Sequence, residues 1–454
     1  MEFSPWTIFT DLGLISLLLI VGTLLRAKVK LIQSLFLPAG IIAGMLGLLL
    51  GPNGTGLLPF SSLIGTYPGI LIAIIFGALP LGAKKVPWKV ISKRVGSMWS
   101  YAQFTTIVMW GGGALFGLLI ISNVWGDIPK GFGLLLAAGF VGGHGTASAI
   151  GEGFANQGWE DATSLAMTSA TIGVICSILI GLLLIKLGSR NGETNFITSF
   201  KDLPQELRTG LIPEQKREQV KGDSVSSISI DPLIFHLALL AIVGMGGYYA
   251  ANYISSINPN VYIPVFSLAF IIGLMLQKVL TATKADSYVD KRVVDRISGG
   301  STDLLVAFGI ASINLTVVVN YALPLTLLML FGLVYVWVCY KFLSKKLFET
   351  YRFEKAIYCW GWTTGTVAMG IALLRIVDPE LKSNALDDYG LAYVPIAPVD
   401  ILVVSMGPLL LMTGGHWLFT SATFGFGLAI IIFSMLKGWW ISKPKINQKQ
   451  DVAS

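Results

Sequence analysis

Long apolar runs without alternation, separated by short polar loops, dominate this chain. An α-helix needs about 20 mostly apolar residues to cross the hydrocarbon of a bilayer. Runs near that length occupy residues 8–25, 31–50, 67–82, 97–121 and 162–187, and resume at 232–254, 262–280, 301–319, 324–343, 391–412 and 416–436. Each predicts a membrane-spanning helix. Two apolar stretches, 130–154 and 353–376, break the pattern. The first reads LLLAAGFVGGHGTASAIGEGF over 134–154, starting as helix and then opening at Gly139, Gly142, Gly143 and Gly145 around His144 and Thr146. Unpaired backbone costs several kcal/mol in lipid and persists only where it is buried in protein or lines a wet cavity. The free N–H groups of a helix broken at that depth suit an anion or a carboxylate. Gly142, Gly143, His144, Gly145 and Thr146 are therefore a candidate binding segment. The other reading of the same glycines is a helix packed closely on a neighbour.

Loop charge orients the spans, because Lys and Arg concentrate on the cytoplasmic side. Arg26, Lys28 and Lys30 follow the first run and Lys84, Lys85, Lys89, Lys93 and Arg94 the third, whereas residues 51–66 carry no charge. The polar stretch 188–231, the loops 278–296 and 341–355, and the tail from Lys437 are all basic and read as inside. The parity closes only if both broken stretches enter and leave on one face, the first dipping from outside and the second from inside. The halves also echo one another, His144-Gly145-Thr146-Ala147 being answered 220 residues on by Thr364-Gly365-Thr366-Val367. Thr363, Thr364, Gly365 and Thr366 thus join the candidate site. Inverted repeats with a discontinuous element in each half are the construction of secondary transporters, which bind substrate where the two breaks meet near the midplane.

The expected fold is an all-α polytopic membrane protein of two inverted-topology repeats of about five transmembrane helices, each with a re-entrant hairpin. One extra C-terminal helix follows them. Residues 1–187 form the N-terminal repeat and 188–231 a cytoplasmic linker. Residues 232–412 form the C-terminal repeat, and 413–454 the extra helix and basic tail. The N-terminus is expected outside and the C-terminus inside.

Composition agrees with a bilayer protein: the 454 residues are 54% hydrophobic and only 13% charged, with mean hydropathy +0.72. A soluble domain is usually about 25% charged. The net charge of +7 sits in short loops and reads as topology, not as a nucleic-acid surface. Cys176, Cys339 and Cys359 lie in apolar runs, too few for a disulfide framework. No metal-ligand spacing, G-x-S-x-G or Walker loop occurs, so neither hydrolysis nor a cofactor is indicated.

Among single residues, His144 within the glycine cluster is a candidate proton or substrate ligand, and His236 and His416 read as packing groups. Thr168, Ser169 and Thr171, in a hydroxyl-rich run after the first break, are candidate sodium ligands, since sodium takes hard oxygen donors. Hydrogen bonding to their own helix carbonyls is the alternative. Asp303 and Asp400 fall toward the ends of their runs and read as caps or interface residues. Glu152 sits at the exit of the first break, and Arg375 is expected to face Asp378 or the cytoplasmic interface.

The motif GGHGT at 142–146, followed by A-T-x-x-A-M-x-x-A-T-x-G at 162–173 and by Val394-Pro395 opening a late span, resembles the bacterial sodium/glutamate symporters. The likeness is closest over residues 103–186. It implies two re-entrant loops, sodium-coupled uptake of glutamate or a related dicarboxylate, a homodimer in the bacterial inner membrane, and a transport domain moving against a scaffold in an elevator-like cycle. The chain departs from that pattern in reading G-W-T-T-G-T at 361–366 and in adding an eleventh span after Gly414. Two other functions stay open: a proton-coupled carrier of another organic anion, with His144 or Glu152 titrating, and a non-transporting receptor or scaffold.

Overall fold

The apolar runs fold as helices. In this computed structural model every regular element is helical among the described residues, which are 4–34, 37–82, 88–196, 209, 211, 230–257, 263–379 and 381–441. The first half holds α1 (Pro5–Lys28), a single turn at Lys30–Ser34, α2 (Ala39–Leu50), α3 (Tyr67–Ala78) and α4 (Val95–Val124). It continues with α5 (Lys130–Gly139), α6 (Gly143–Ala155) and α7 (Ala162–Arg190). The second half begins with α8 (Pro232–Ile257), α9 (Val265–Ala282), α10 (Lys291–Ala311), α11 (Leu315–Asn320) and α12 (Ala322–Leu347). It ends with α13 (Arg352–Thr364), α14 (Val367–Val377), α15 (Ala385–Met412) and α16 (His416–Leu436). Most of the expected linker and the basic tail lie outside the described residues.

Eight of these helices, α1, α4, α7, α8, α9, α12, α15 and α16, are long and apolar enough to cross a membrane. Three of the expected spans are corrected. Helices α2 and α3 have 12 residues each, about 18 Å of rise against roughly 30 Å of hydrocarbon. The loop between them is tied to α1 by the buried Asp11, which accepts from Ser61 N at 2.9 Å and from the Tyr67 hydroxyl at 2.7 Å. The run 301–319 is not one helix. Asp290 caps α10 eleven residues earlier, and Asn314 Oδ1 accepts from Thr316 N at 3.0 Å to start α11 afresh.

At the start of α10, His236 Nε2 accepts from Asp290 N at 2.7 Å and its Nδ1 lies 2.6 Å from Pro232 O. A backbone N–H can only donate, so the ring is neutral and carries its proton on Nδ1. The Arg292 guanidinium beside Asp290 holds that carboxyl below the usual range. His236 is a packing group, as its place in an apolar run suggested.

Element order repeats between the halves. Helix α4 passes into a π-helical segment at Gly117–Ile121 and one last turn, Ser122–Val124; α12 does the same at Cys339–Leu343 and Ser344–Leu347. Cys339 lies 222 residues after Gly117, and Ser344 the same distance after Ser122. π segments are rare, and these two stand at matching places in their helices. In each half a broken helix and then a long helix follow.

Close contacts sort the helices into two groups. In the first, a β-carbon at Gly22 of α1 would meet Ala39 O at 2.8 Å, at Gly44 of α2 would meet Ile310 of α10 at 2.6 Å, and at Gly77 of α3 would meet Val243 of α8 at 2.7 Å. Gly247 of α8 lies equally close to α9. In the second group, Gly133 backs onto Gly113 of α4, Gly427 of α16 onto Val108, and Gly332 of α12 onto Leu136. Small residues let backbones approach without a hydrophobic drive between lipid-solvated helices. Helices α1–α3 thus associate with α8–α10, and α4–α7 with α12–α16. The same members of each half fall in the same group. The second group holds the deepest core: 61% of the apolar window of α4 is buried, against 22% for α1 and α8.

Candidate functional site

Two interruptions of helix define the site. Helix α5 opens as a 3-10 turn and ends at Gly139, and the chain resumes as α6 at Gly143, whose φ of +62° a side chain would oppose. The segment doubles back, because Gly131 at its start packs on the Phe154 ring at its end. Helix α13 stops at Thr364; Gly365 (φ −135°, ψ −96°) and Thr366 carry the chain into α14. These two helices also fold onto one another, a β-carbon at Gly361 meeting Gly370 Cα at 2.7 Å.

The two interruptions meet. A β-carbon at Gly143 would stand 3.1 Å from Thr366 Cγ2 and 3.4 Å from Gly365 O. Residues 222 and 223 apart in sequence, each within or next to the echoed pattern, are van der Waals neighbours. Helix α7 stitches the pair together: Gly173 backs onto Thr364 O, Ser177 Oγ donates to Gly361 O at 3.0 Å, and Trp360 Nε1 donates to Ser177 O at 3.0 Å.

Within this junction the hydroxyls divide. Thr363 Oγ1 donates to Cys359 O and Thr364 Oγ1 to Trp360 O, both at 2.6 Å, and both residues are fully buried. Their side chains complete their own helix. Thr366 is partly exposed and caps α14 by a long 3.4 Å contact from Met369 N, so its O–H is free to donate outward. Thr146 is partly exposed and its hydroxyl has no partner among the described residues. Gly142 and Gly145 are partly accessible beside it; a β-carbon at Gly142 would strike Thr146, and one at Gly145 would touch Ile72 of α3 at 3.2 Å. Thr146, Thr366, Gly142 and Gly145 are the accessible members of the predicted set.

His144 is buried, with Nε2 3.2 Å from Thr171 Oγ1. The Thr171 hydroxyl spends its hydrogen on Met167 O at 2.9 Å, so His144 donates from Nε2 and keeps Nδ1 as an acceptor in the neutral ring. Thr168 Oγ1 donates to Ser164 O at 2.7 Å on the same side of α7. Ser169 points elsewhere, donating to Leu135 O at 2.8 Å. The structure therefore brings Thr171 to the first break, keeps Thr168 on its flank and turns Ser169 into the core.

The remaining single residues fall as follows. Arg375 donates to Pro379 O at 2.6 Å and does not pair with Asp378, which accepts from Lys382 N and Ser383 N. Glu152 packs on α3, its Oε2 lying 3.0 Å from where a β-carbon of Gly69 would stand. Asp303 and Asp400 are not terminal: α10 and α15 begin several residues before their apolar runs, which places both carboxylates mid-helix. Trp110, Trp360 and Trp362 are buried packing residues. Sequence reasoning missed Ser177, whose only signal is a hydroxyl in the middle of a span.

In lipid these features combine into one kind of chemistry. Two helix interruptions offer backbone N–H groups, two partly exposed threonine hydroxyls offer donors, and no formal positive charge adjoins them among the described residues, a combination chemically suited to an anion. No curated protein matches the chain. A sequence profile of the sodium/glutamate symporter family matches residues 118–371, a stretch that runs from the end of α4 through both interruptions and into α14. This multi-pass membrane chain, matched over more than half its length, belongs to the sodium/glutamate symporter family.

Proposed function

We propose that the chain takes up glutamate or a related dicarboxylate with sodium, and that Gly142–Thr146 and Gly365–Thr366 together hold one substrate carboxylate. The observation that carries this reading is the approach of Gly143 to Gly365 and Thr366. In the proposed topology α5–α6 enters the bilayer from outside and α13–α14 from inside, the two halves being inverted repeats. The matched π segments and the matched grouping of helices support the repetition, and loop charge supports the inversion. Helices α4–α7 and α12–α16 carry both tips and would move as one body against α1–α3 and α8–α10. The groups touch at few tight points, among them Ile72 against Gly145, Met167 against Gly309, and Ser267 Oγ 2.5 Å from Ser405 Oγ.

Purified protein in liposomes tests the coupling. A sodium gradient imposed at fixed pH is expected to drive accumulation of labelled glutamate. Accumulation that follows a proton gradient and ignores sodium would contradict the reading. A fixed carboxylate would further favour a carried cation in a medium that solvates ions poorly, and the hydroxyls of α7 carry no charge.

A further inference from the structure

Helix α15 carries a carboxylate at the middle of the membrane. Asp400 is the sixteenth of 28 residues, and among the described residues it makes no ion pair and accepts no hydrogen bond. Its direction follows from helix geometry. Val394, Pro398 and Leu402 form the exposed stripe of α15, as positions four apart should. At about 100° per residue, Asp400 lies about 160° from the centre of that stripe. It falls inside the arc occupied by Ile396, Gly407, Leu411 and Val404, all of them buried. Asp400 itself is only partly buried, and so is Tyr393, its neighbour two turns earlier. Asp400 and Tyr393 thus lie on the inward side of α15 without being fully buried.

The helix α4, which packs on α15, carries unmet polar groups of its own. On α4, Phe104, Ile107 and Val108 take the α16 side, and Tyr101 and Thr105 face α12. Gln103 and Thr106 are left on the side shared by α15 and the first broken helix. Gln103 is 1% exposed, yet neither its amide nitrogen nor its oxygen has a partner, and the Thr106 hydroxyl has none either. A buried amide with all its hydrogen-bonding capacity unmet costs free energy unless something else meets it. The prolines of α15 add acceptors: Pro395, Pro398 and Pro408 have no N–H, so the carbonyls of Leu391, Val394 and Val404 lose their intrahelical donor.

We propose that Asp400 binds the monovalent cation that moves with the substrate, with Gln103 and Thr106 supplying neutral oxygens. The inference rests on the transporter reading above and adds the charged ligand that reading lacks. Two cations share this chemistry: sodium itself, and the ammonium group of an amino-acid substrate. Proton loading alone would not need the unpaired amide.

The test compares the full-length protein with Asp400→Asn, which keeps the shape and loses the charge, and with Asp400→Glu. Thermal unfolding is followed in sodium chloride and in choline chloride without substrate, and uptake is then measured in liposomes. If the cation is sodium, wild type gains thermal stability in sodium and Asp400→Asn does not. The sodium concentration for half-maximal uptake then rises about 10- to 150-fold, as loss of a bond to a charged group implies. If the cation is the substrate's ammonium, the sodium response is unchanged. Apparent affinity for glutamate then falls by a similar factor, while glutarate, which lacks the amino group, binds as to wild type. A folded Asp400→Asn that keeps both the sodium response and glutamate affinity within about twofold overturns the proposal. Should Asp400→Asn fail to fold, Asp400→Glu decides: the longer side chain shifts one of the two midpoints if Asp400 is a ligand, and wild-type midpoints refute it. If wild type transports no glutamate but shows a sodium-dependent stabilisation that Asp400→Asn abolishes, the substrate reading fails and the cation site stands.

Discussion

A valine at Gly143 abolishes sodium-driven uptake and leaves the protein folded. Gly143 has φ +62°, where an L-residue costs about 1–2 kcal/mol. That penalty is small beside the packing of the second helix group, so thermal stability should fall only modestly. Function is hit harder, because the new β-carbon stands 3.1 Å from Thr366 Cγ2 and 3.4 Å from Gly365 O, and the γ-methyls reach farther into the junction. We expect uptake to drop by at least about 100-fold, equivalent to about 2.7 kcal/mol of lost interaction. Gly158→Val is the control. Gly158 also has positive φ, +91°, but a β-carbon there meets nothing within 4 Å. It carries the backbone penalty without the obstruction and should transport nearly as well as wild type. If both variants lose activity in proportion to lost protein, Gly143 serves packing alone.

The threonines give the second large effect and a sharper discrimination. Thr146→Ala and Thr366→Ala each remove a hydroxyl that no protein group strongly uses, so the fold should barely register either change. A hydrogen bond to a charged group contributes about 1.5–3 kcal/mol, and each substitution should therefore raise the half-saturating glutamate concentration by about 10- to 150-fold. Serine at either position restores most of the affinity. Thr363→Ala and Thr364→Ala behave oppositely: those hydroxyls bond Cys359 O and Trp360 O within α13, and affinity should stay near wild type. Equal losses at all four positions would mean that the substitutions disturb the hairpin and not a bound carboxylate.

These contrasts separate what the chain displays in one dimension from what only folding supplies. The two helix breaks were legible because glycines and polar residues interrupt runs that lipid requires to be apolar. Their bounds, 130–154 and 353–376, match the helices that flank them. The short α2 and α3 were not legible as short, since hydropathy records an apolar loop and an apolar helix alike. Helix α10 was hidden for the opposite reason. Its first turns, from Lys291, are polar on an amphipathic helix, and hydropathy instead joined its end across Asn314 into α11. Helix α15 likewise starts before its apolar run, at Ala385 with Asp387 and Asp388 in its first turn, and the Lys355 ammonium lies 3.1 Å from the Asp388 carboxylate. Asp400, the tenth residue of the run 391–412 and the sixteenth of α15, is central by either count. The contact of Gly143 with Thr366 is tertiary, and only the echo of GT in both halves hinted at it. Which threonines are spent on their own helix depends on side-chain rotamers, which spacing does not reveal.

The central claim is that both tips hold one substrate, and chemical protection of each tip tests it most directly. Single cysteines replace Thr146 or Thr366 in a background lacking Cys176, Cys339 and Cys359, and the rate of modification by an impermeant thiol reagent is measured from each side of the membrane. The account predicts that the cysteine at 146 reacts preferentially from outside and the one at 366 from inside, and that glutamate with sodium slows both. Protection of one tip with the other unchanged would contradict a shared site even if the protein transports.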